Sequence, residues 1–273
     1  MLKSDQTAGL ERLVDETLAS AKYRDICPDL VRSIGSQELA RRRSFKEAVK
    51  STRNKLHQVS GAYMVNHQQY AHWHSELQQA VSQGQPSAIR AICRQIMHNH
   101  ASTRERLPLL DTFYTTLLAD LPPIHSILDI ACGLNPLAIP WMPLAAAASY
   151  YAYDIRQHLV DFLQLSITLL GLAGYAENRD IIQDCPEHEV DVALVLKTLP
   201  CLEQVEKQAG KQLLQRINAR RLLVSFPVHS LGGRSGKGMI TYYTAHFYEM
   251  IQDTGWRAQP YEFATELVFV VDK

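Results

Sequence analysis

Three acids are placed where they could do chemistry: Asp129, Asp154 and Asp184. Asp129 lies at the end of an apolar run, Ser126–Ile130, and is followed by Ala131-Cys132-Gly133-Leu134-Asn135-Pro136. Small residues after a strand let the backbone approach a ligand closely at the strand's carboxyl end. Asp154 ends the next apolar run, Ser149–Tyr153. An acid in that place accepts hydrogen bonds from both hydroxyls of a ribose. Asp184 follows an expected third strand, Ile181-Ile182-Gln183, where a carboxylate could accept from the exocyclic amine of adenine. One such acid is often only a cap or a loop residue. Three at successive strand ends describe a nucleoside site. The phosphate loop GxGxxG is absent, because Gly133 is followed by Leu134, Asn135 and Pro136. A pyrophosphate needs several free backbone N–H groups, and Pro136 removes one. S-adenosyl-L-methionine carries no phosphate and tolerates this loop, so it is favoured over a nicotinamide dinucleotide.

The elements that must position these acids follow from periodicity. Residues 1–105 read as helices: Leu10, Leu13, Val14 and Leu18 keep helical spacing, and Pro28 opens a segment with Leu30, Val31 and Ile34. A third segment runs from Ser44 to about Val59 and is broken by Gly61; others lie near Gln69–Gln83 and Pro86–His100. After Pro122-Pro123 short apolar runs alternate with helical patterns. The further runs are Val190–Leu196, Leu222–Phe226 and Leu267–Val271, and the helices lie near Gln157–Leu172, Leu202–Asn218 and Ile240–Thr254. Such alternation implies βαβ units. Trp256–Phe263 and Glu266–Val271, joined by a short turn, read as an antiparallel hairpin. The expected fold is therefore α/β: a Rossmann-like, mostly parallel methyltransferase sheet over 106–273, with an antiparallel C-terminal hairpin, preceded by an all-helical domain over 1–105.

Composition is that of an ordinary globular protein, 46% hydrophobic and 21% charged. No run approaches the ~18 apolar residues of a membrane span, and no targeting segment is evident. Five scattered cysteines without a CxxC pair argue for reduced thiols in a cytoplasmic protein and against disulfides or zinc. His67, His72 and His74 lack a companion ligand at metal spacing, so no metal is expected. Net charge is zero but uneven: residues 1–110 carry 16 Lys and Arg against 10 Asp and Glu. The excess lies in Arg32–His57, with Arg41, Arg42, Arg43, Lys46, Lys50, Arg53 and Lys55 as candidate RNA contacts. A basic half beside an acidic one points to a polyanionic partner, against the plainer alternative of a solvated helix face.

Long motifs carry a resemblance. Asp129-Ile130-Ala131-Cys132-Gly133-Leu134-Asn135-Pro136-Leu137, Leu196-Lys197-Thr198-Leu199-Pro200-Cys201-Leu202-Glu203 and Ser225-Phe226-Pro227 with Ser230-Leu231-Gly232-Gly233 resemble the aminoglycoside-resistance 16S rRNA (guanine(1405)-N(7))-methyltransferases. Gly61-Ala62-Tyr63, His100-Ala101-Ser102-Thr103-Arg104-Glu105-Arg106-Leu107 and Thr265-Glu266-Leu267 match as well. The resemblance runs from about Tyr23 to the C-terminus. It implies a helical half that docks on the 30S ribosomal subunit, with 16S rRNA as partner; a monomer without membrane or metal partners is expected. It also implies that Arg106 pairs with the cofactor's carboxylate, while Tyr63, His100, Ala101 and Ser102 line the same pocket. Ala131, Gly133, Asp154, Asp184, Cys185 and Leu196 are implied to surround the rest of the cofactor. Val205 stands where relatives often carry Gln or Glu.

Methyl transfer to guanine N7 uses a free lone pair, so no general base is required. Catalysis then rests on alignment and exclusion of water, on the order of 7–11 kcal/mol in well-oriented systems. A stacked base cannot present N7 to a buried methyl group, so base flipping is expected. Lys197, Arg234 and Glu266 are the candidates for handling the target, and Lys237, in the Gly-rich stretch Gly232–Gly238, for contacting phosphate. A charge at Lys197, after an apolar strand, must face a cleft or find a buried partner. The competing readings are a ribosome-binding protein whose fold has lost catalysis and a nicotinamide-dependent oxidoreductase.

Overall fold

The computed structural model describes residues 2–61, 69–228 and 237–273, and describes no side chains for 2–6, 60, 61 and 237. Among the described residues, seven α-helices come first: α1 (Leu2–Leu18), α2 (Pro28–Arg41), α3 (Phe45–Leu56), α4 (Tyr70–Ser82), α5 (Pro86–Met97), α6 (Ala101–Arg106) and α7 (Leu110–Leu117). Local chemistry sets several of their ends. Proline occupies the first turn of α2 and α5, where a missing N–H costs nothing. Ser44 caps α3 by accepting from the Glu47 N–H at 3.3 Å, within the sequence Ser-Phe-Lys-Glu expected of a capping box.

The sheet follows: β1 (Ile124–Ile130), β2 (Leu144–Asp154), α8 (Gln157–Leu169), β3 (Ala173–Asn178), β4 (Val190–Leu196), α9 (Leu199–Val205), α10 (Ala209–Arg216), β5 (Ala219–Pro227), α11 (Lys237–Ile251), β6 (Arg257–Glu262) and β7 (Glu266–Asp272). Strand order is β3-β2-β1-β4-β5-β7-β6, parallel except for β7, which runs antiparallel to both neighbours. The expected parallel sheet and C-terminal hairpin are both present. The order reverses between β1 and β4, and a ligand of such a sheet binds at the carboxyl ends beside that switch point.

Two local expectations are corrected, the third strand and the helical stretch Leu202–Asn218. The third strand is Ala173–Asn178 rather than Ile181–Gln183. It is an edge strand of half-buried and exposed residues, so it lacks an apolar signature, and its Gly174 is required because a Cβ there would lie 2.1 Å from the Tyr150 carbonyl oxygen. Ile181 and Ile182 instead belong to a turn begun by Asp180, whose side chain accepts from the Ile182 N–H at 3.1 Å. After β1 the chain forms a 3-10 helix, Asn135–Trp141, because Pro136 opens it and Pro140 interrupts it. The helical stretch Leu202–Asn218 is two helices, α9 and α10, separated at Glu206–Gln208.

One core unites the sheet's β2 side with the helices before it. Trp73, Leu77, Cys93, Ile96 and Met97 of α4 and α5 pack in one cluster with Phe113, Tyr150 and Phe162. Residues 70–105 thus share their core with the sheet. Helices α1 to α3 form smaller clusters, one of which includes Val205. Two backbone bonds pin the α1–α2 connection to the sheet: Cys27 N–H donates to the Ile155 carbonyl and Gln157 N–H to that of Asp25, both at 2.8 Å. Arg156 reinforces them by donating to both Asp25 oxygens at 3.0 and 3.1 Å. The helical half is therefore fastened at the carboxyl end of β2, where the site lies. No helix among the described residues is long and apolar enough to cross a membrane.

Candidate active site

A cleft opens at the carboxyl ends of β1, β2 and β4. It encloses about 850 Å³ of space, part of it open solvent, and its lining comes from both halves of the chain. Leu30 and Val59 come from the helical half, and His100 and Ser102 from the start of α6. The strand ends supply Ala131, Asp154, Ile155, Leu196 and Lys197, and the rest of the wall includes Leu159, Asp180, Ile181, Ile182, Leu202 and Val205. Val205 thus adds apolar wall. An apolar slot with a few convergent polar groups suits a nucleoside.

Backbone strain marks both strand ends nearest the switch point. Ala131 and Lys197 adopt φ of 50° and 58°, which side-chain-bearing residues rarely do. Gly133 also has positive φ, and a Cβ there would meet the His100 ring at 2.7 Å. Its N–H donates to Asp154 Oδ2 at 3.0 Å, so it braces the site from beneath and does not line the cleft. Asp154 Oδ1 accepts from the N–H groups of Ile155 and Arg156 at 2.7 and 3.2 Å. Burial pushes its carboxyl up, against the pull of these three N–H groups. His100 is driven down to about 3 by burial and by nearby cations, Arg106 foremost, so its ring is neutral at physiological pH. The Ser102 hydroxyl lies 2.9 Å from its Nδ1.

Asp180, which sequence reasoning missed, is the acid on the cleft wall beyond β3. It is 3% exposed, and its Oδ2 has no hydrogen-bond partner among the described residues. A buried carboxylate oxygen without a donor is costly, and an exocyclic amine of a bound nucleoside would satisfy it. Together with Asp154 and the apolar walls, this orphaned oxygen shows that the residues present fit S-adenosylmethionine. Asp184 lies elsewhere: its side chain is 72% exposed and pairs with Arg179 at 3.4 Å. Cys185 is buried in the core of the opposite sheet face. Asp180→Asn is expected to weaken S-adenosylmethionine binding about tenfold, the scale of one charged hydrogen bond, while Asp184→Asn leaves it unchanged; calorimetry on both variants checks this.

Beneath the cleft lies a buried polar network. Glu266, fully buried at the start of β7, accepts from Arg106 Nε and Nη2 at 3.0 and 2.6 Å and from the Ser225 hydroxyl at 2.5 Å. Arg106 Nη1 donates to Asn135 Oδ1 at 2.9 Å, which also accepts from the Tyr114 hydroxyl at 2.6 Å. The Asn135 amide donates to Asp129 Oδ2 at 2.9 Å, and the Tyr150 hydroxyl donates to the same oxygen at 2.6 Å. Burial pushes Asp129 up to about 6 despite these bonds. Burial also opposes ionisation of Glu266, yet Arg106 and then Lys197 hold its carboxyl below the usual range.

Arg106 and Glu266 are not among the residues lining the cleft. Arg106 is 1% exposed and uses three of its five N–H donors on Glu266 and Asn135, and Glu266 stands behind Lys197. Asp129 belongs to the same buried network, and Ala101 is buried off the cleft. Lys197 both faces the cleft and has acidic partners: its ammonium lies 2.6 Å from Oε2 of half-buried Glu105 and 3.5 Å from Oε2 of buried Glu266. Tyr63, Arg234 and the Lys237 side chain lie outside the described residues.

The basic run divides. Glu38, fully buried, is held between helices by Arg42 at 2.7 Å and Lys55 at 3.0 Å. Arg53 donates to the Glu16 carbonyl at 2.5 Å. Lys55 and Arg53, and in part Arg42, all candidate RNA contacts, therefore also hold α1, α2 and α3 together. Arg41, Arg43, Lys46 and Lys50 are exposed. Among the described residues no group of His, Cys, Asp and Glu could hold a metal, and all five cysteines are free.

The strand order and the strand-end cleft define a Rossmann-like, S-adenosylmethionine-dependent methyltransferase. Comparison with known proteins takes the assignment further. The family model described as ribosomal RNA methyltransferase (FmrO) matches residues 19–270. A 16S rRNA (guanine(1405)-N(7))-methyltransferase of Micromonospora echinospora is 38% identical over 256 residues, covering 93% of each chain. The structure of 16S rRNA methyltransferase RmtF in complex with S-adenosyl-L-homocysteine has a TM-score of 0.78 at 31% identity, over 97% of this chain and 98% of that one. An rRNA methylase from Escherichia coli has a TM-score of 0.77 at 30% identity, over 97% and 99%. The chain belongs to the FmrO family of ribosomal RNA methyltransferases.

Proposed function

We propose that this enzyme transfers the methyl group of S-adenosyl-L-methionine to N7 of guanine 1405 of 16S rRNA, as its relative from Micromonospora echinospora is named for doing. The observation that carries the reading is the cleft at the β1, β2 and β4 ends, with Asp154 and Lys197 on its wall. When bound, S-adenosylmethionine supplies an electrophilic methyl carbon: as the N7 lone pair forms the new bond, the carbon–sulfur bond breaks and its electrons stay on sulfur. Asp154 and Asp180 would orient the nucleoside, and His100, Ser102 and the apolar walls would exclude water. No residue need remove a proton from N7. Alignment is the protein's whole contribution, consistent with the rigid, strained strand ends that present Ala131 and Lys197.

The preferred substrate in this reading is the 30S subunit, with the target base flipped out of its stack. One copy of the chain supplies every lining residue of the cleft, so a monomer suffices, working in the cytoplasm where subunits are found. The product bears a fixed positive charge at N7 and has lost an acceptor. A polycationic aminoglycoside nearby would then meet repulsion of about 1 kcal/mol per charge pair at 4 Å in water, more where solvent is excluded. Resistance would follow from that repulsion together with the lost hydrogen bond.

Purified protein is expected to move labelled methyl from S-adenosylmethionine to small subunits, and inactivity on every ribosomal substrate would reject the proposal. Arg41→Glu with Arg43→Glu is expected to weaken subunit binding at least tenfold, with a shallower salt dependence, while S-adenosylmethionine affinity is unchanged. Filter binding across a salt series, with calorimetry alongside, separates this from a folding defect, which would lower both affinities.

A further inference from the structure

We infer that Glu105 and Lys197 act as one donor–acceptor pair that selects guanine: the ammonium donates to O6 while the Glu105 carboxylate accepts from the N1–H and N2 amine. The inference rests on the guanine-N7 reading above and adds its specificity determinant. Two acids flank the Lys197 ammonium, and they differ in availability. Glu266 has no exposed surface, and both of its oxygens are taken by Arg106, with Ser225 sharing one. Glu105 is 33% exposed, its Oε2 receives Lys197 at 2.6 Å, and among the described residues no group bonds its other oxygen.

The pair is held firmly. The Lys197 backbone N–H donates to both the carbonyl and the hydroxyl oxygen of Ser225 at 3.0 Å, which fixes its left-handed turn. Ser102, one helical turn before Glu105, lines the cleft, and residues three apart share a helix face. The Thr265 hydroxyl donates to the Glu105 carbonyl at 2.8 Å and ties α6 to the turn before β7.

Guanine presents N7, O6, N1–H and the N2 amine in succession around its edge. N7 must stay bare for the methyl group, so recognition falls on the others. An ammonium beside a half-open carboxylate offers a donor and then an acceptor, in the order that O6 and N1–H require. Adenine in the same place would set its N6 amine against the ammonium and its N1 lone pair against the carboxylate, and both contacts repel. A site built for such hydrogen bonds rejects an analogue that lacks them, because its own polar groups are left unpaired.

The test uses 30S subunits reconstituted with guanosine or with inosine at the target position, since inosine lacks only the N2 amine. Single-turnover methylation by the unaltered enzyme is expected to be about 10- to 100-fold slower on inosine. Glu105→Ala is expected to slow transfer to guanosine and to shrink the inosine penalty below about threefold, with S-adenosylmethionine affinity by calorimetry unchanged. Glu105→Gln, which keeps the side chain's shape, should show an intermediate penalty. An unaltered enzyme that treats both bases alike, or a Glu105→Ala enzyme that keeps the full penalty, would overturn the inference and leave the N7 reading intact. No transfer to guanosine-bearing subunits by the unaltered enzyme would instead remove the N7 reading and this inference with it.

Discussion

Glu266→Ala lowers the stability of the fold by about 3–5 kcal/mol, because it takes the carboxylate partner from buried Arg106 and leaves Lys197 with Glu105 alone. Arg106 is 1% exposed and the Lys197 side chain 6%, and both rely on this carboxylate. Asn135 still accepts one Arg106 hydrogen, but the Nε and Nη2 bonds are lost, and so is the partner of Ser225. For a chain of this size the loss corresponds to a fall in Tm of roughly 10 °C. Glu203→Ala is the control: its pair with His246 is partly solvated on both sides and should cost less than about 1 kcal/mol. Thermal melts of the two variants beside the unaltered protein check the contrast. Equal, small losses would show that the network beneath the cleft contributes little to folding.

Asp154→Ala is expected to reduce S-adenosylmethionine affinity at least a hundredfold and to abolish methyl transfer. Two hydrogen bonds from ribose hydroxyls to a carboxylate account for about 3–6 kcal/mol. The carboxylate also accepts from the N–H groups of Gly133, Ile155 and Arg156, so its removal loosens the turn after β1 as well. Asp154→Asn is the milder variant, since its amide oxygen can still accept backbone N–H bonds on one side of the group. Calorimetric titration of both variants, with melts to establish folding, measures the loss. Undiminished affinity would place the ribose elsewhere.

What the sequence disclosed depended on how local each determinant is. The alternation of strands and helices, the antiparallel hairpin and the missing phosphate loop are carried by contiguous residues, and all could be read directly. The edge strand β3 could not, because Ala-Gly-Tyr-Ala-Glu-Asn is neither alternating nor apolar, and Ile181-Ile182 beside it mimics a strand. That misreading moved the expected acid from Asp180 to Asp184. The proline pair Pro136 and Pro140 was visible, but the 3-10 helix it forms against α5 and α7 was not. Pairings across long separations were hidden altogether. Arg106 meets Glu266 across 160 residues and Lys197 meets Glu105 across 92, so a charge expected to face the ligand can be neutralised by a partner that no local pattern reveals. Part of the basic run misled for the same reason: Glu38 is an interior acid that claims Arg42 and Lys55.

The most direct test of the methyl-transfer assignment is to locate the modified nucleotide. Small subunits treated with the enzyme and labelled S-adenosylmethionine would be digested, and the 16S rRNA fragments read by mass spectrometry. The expected result is a single 7-methylguanosine at position 1405, absent after treatment with the Asp154→Ala enzyme. Label on a neighbouring adenine, or no label on any nucleotide, would contradict it.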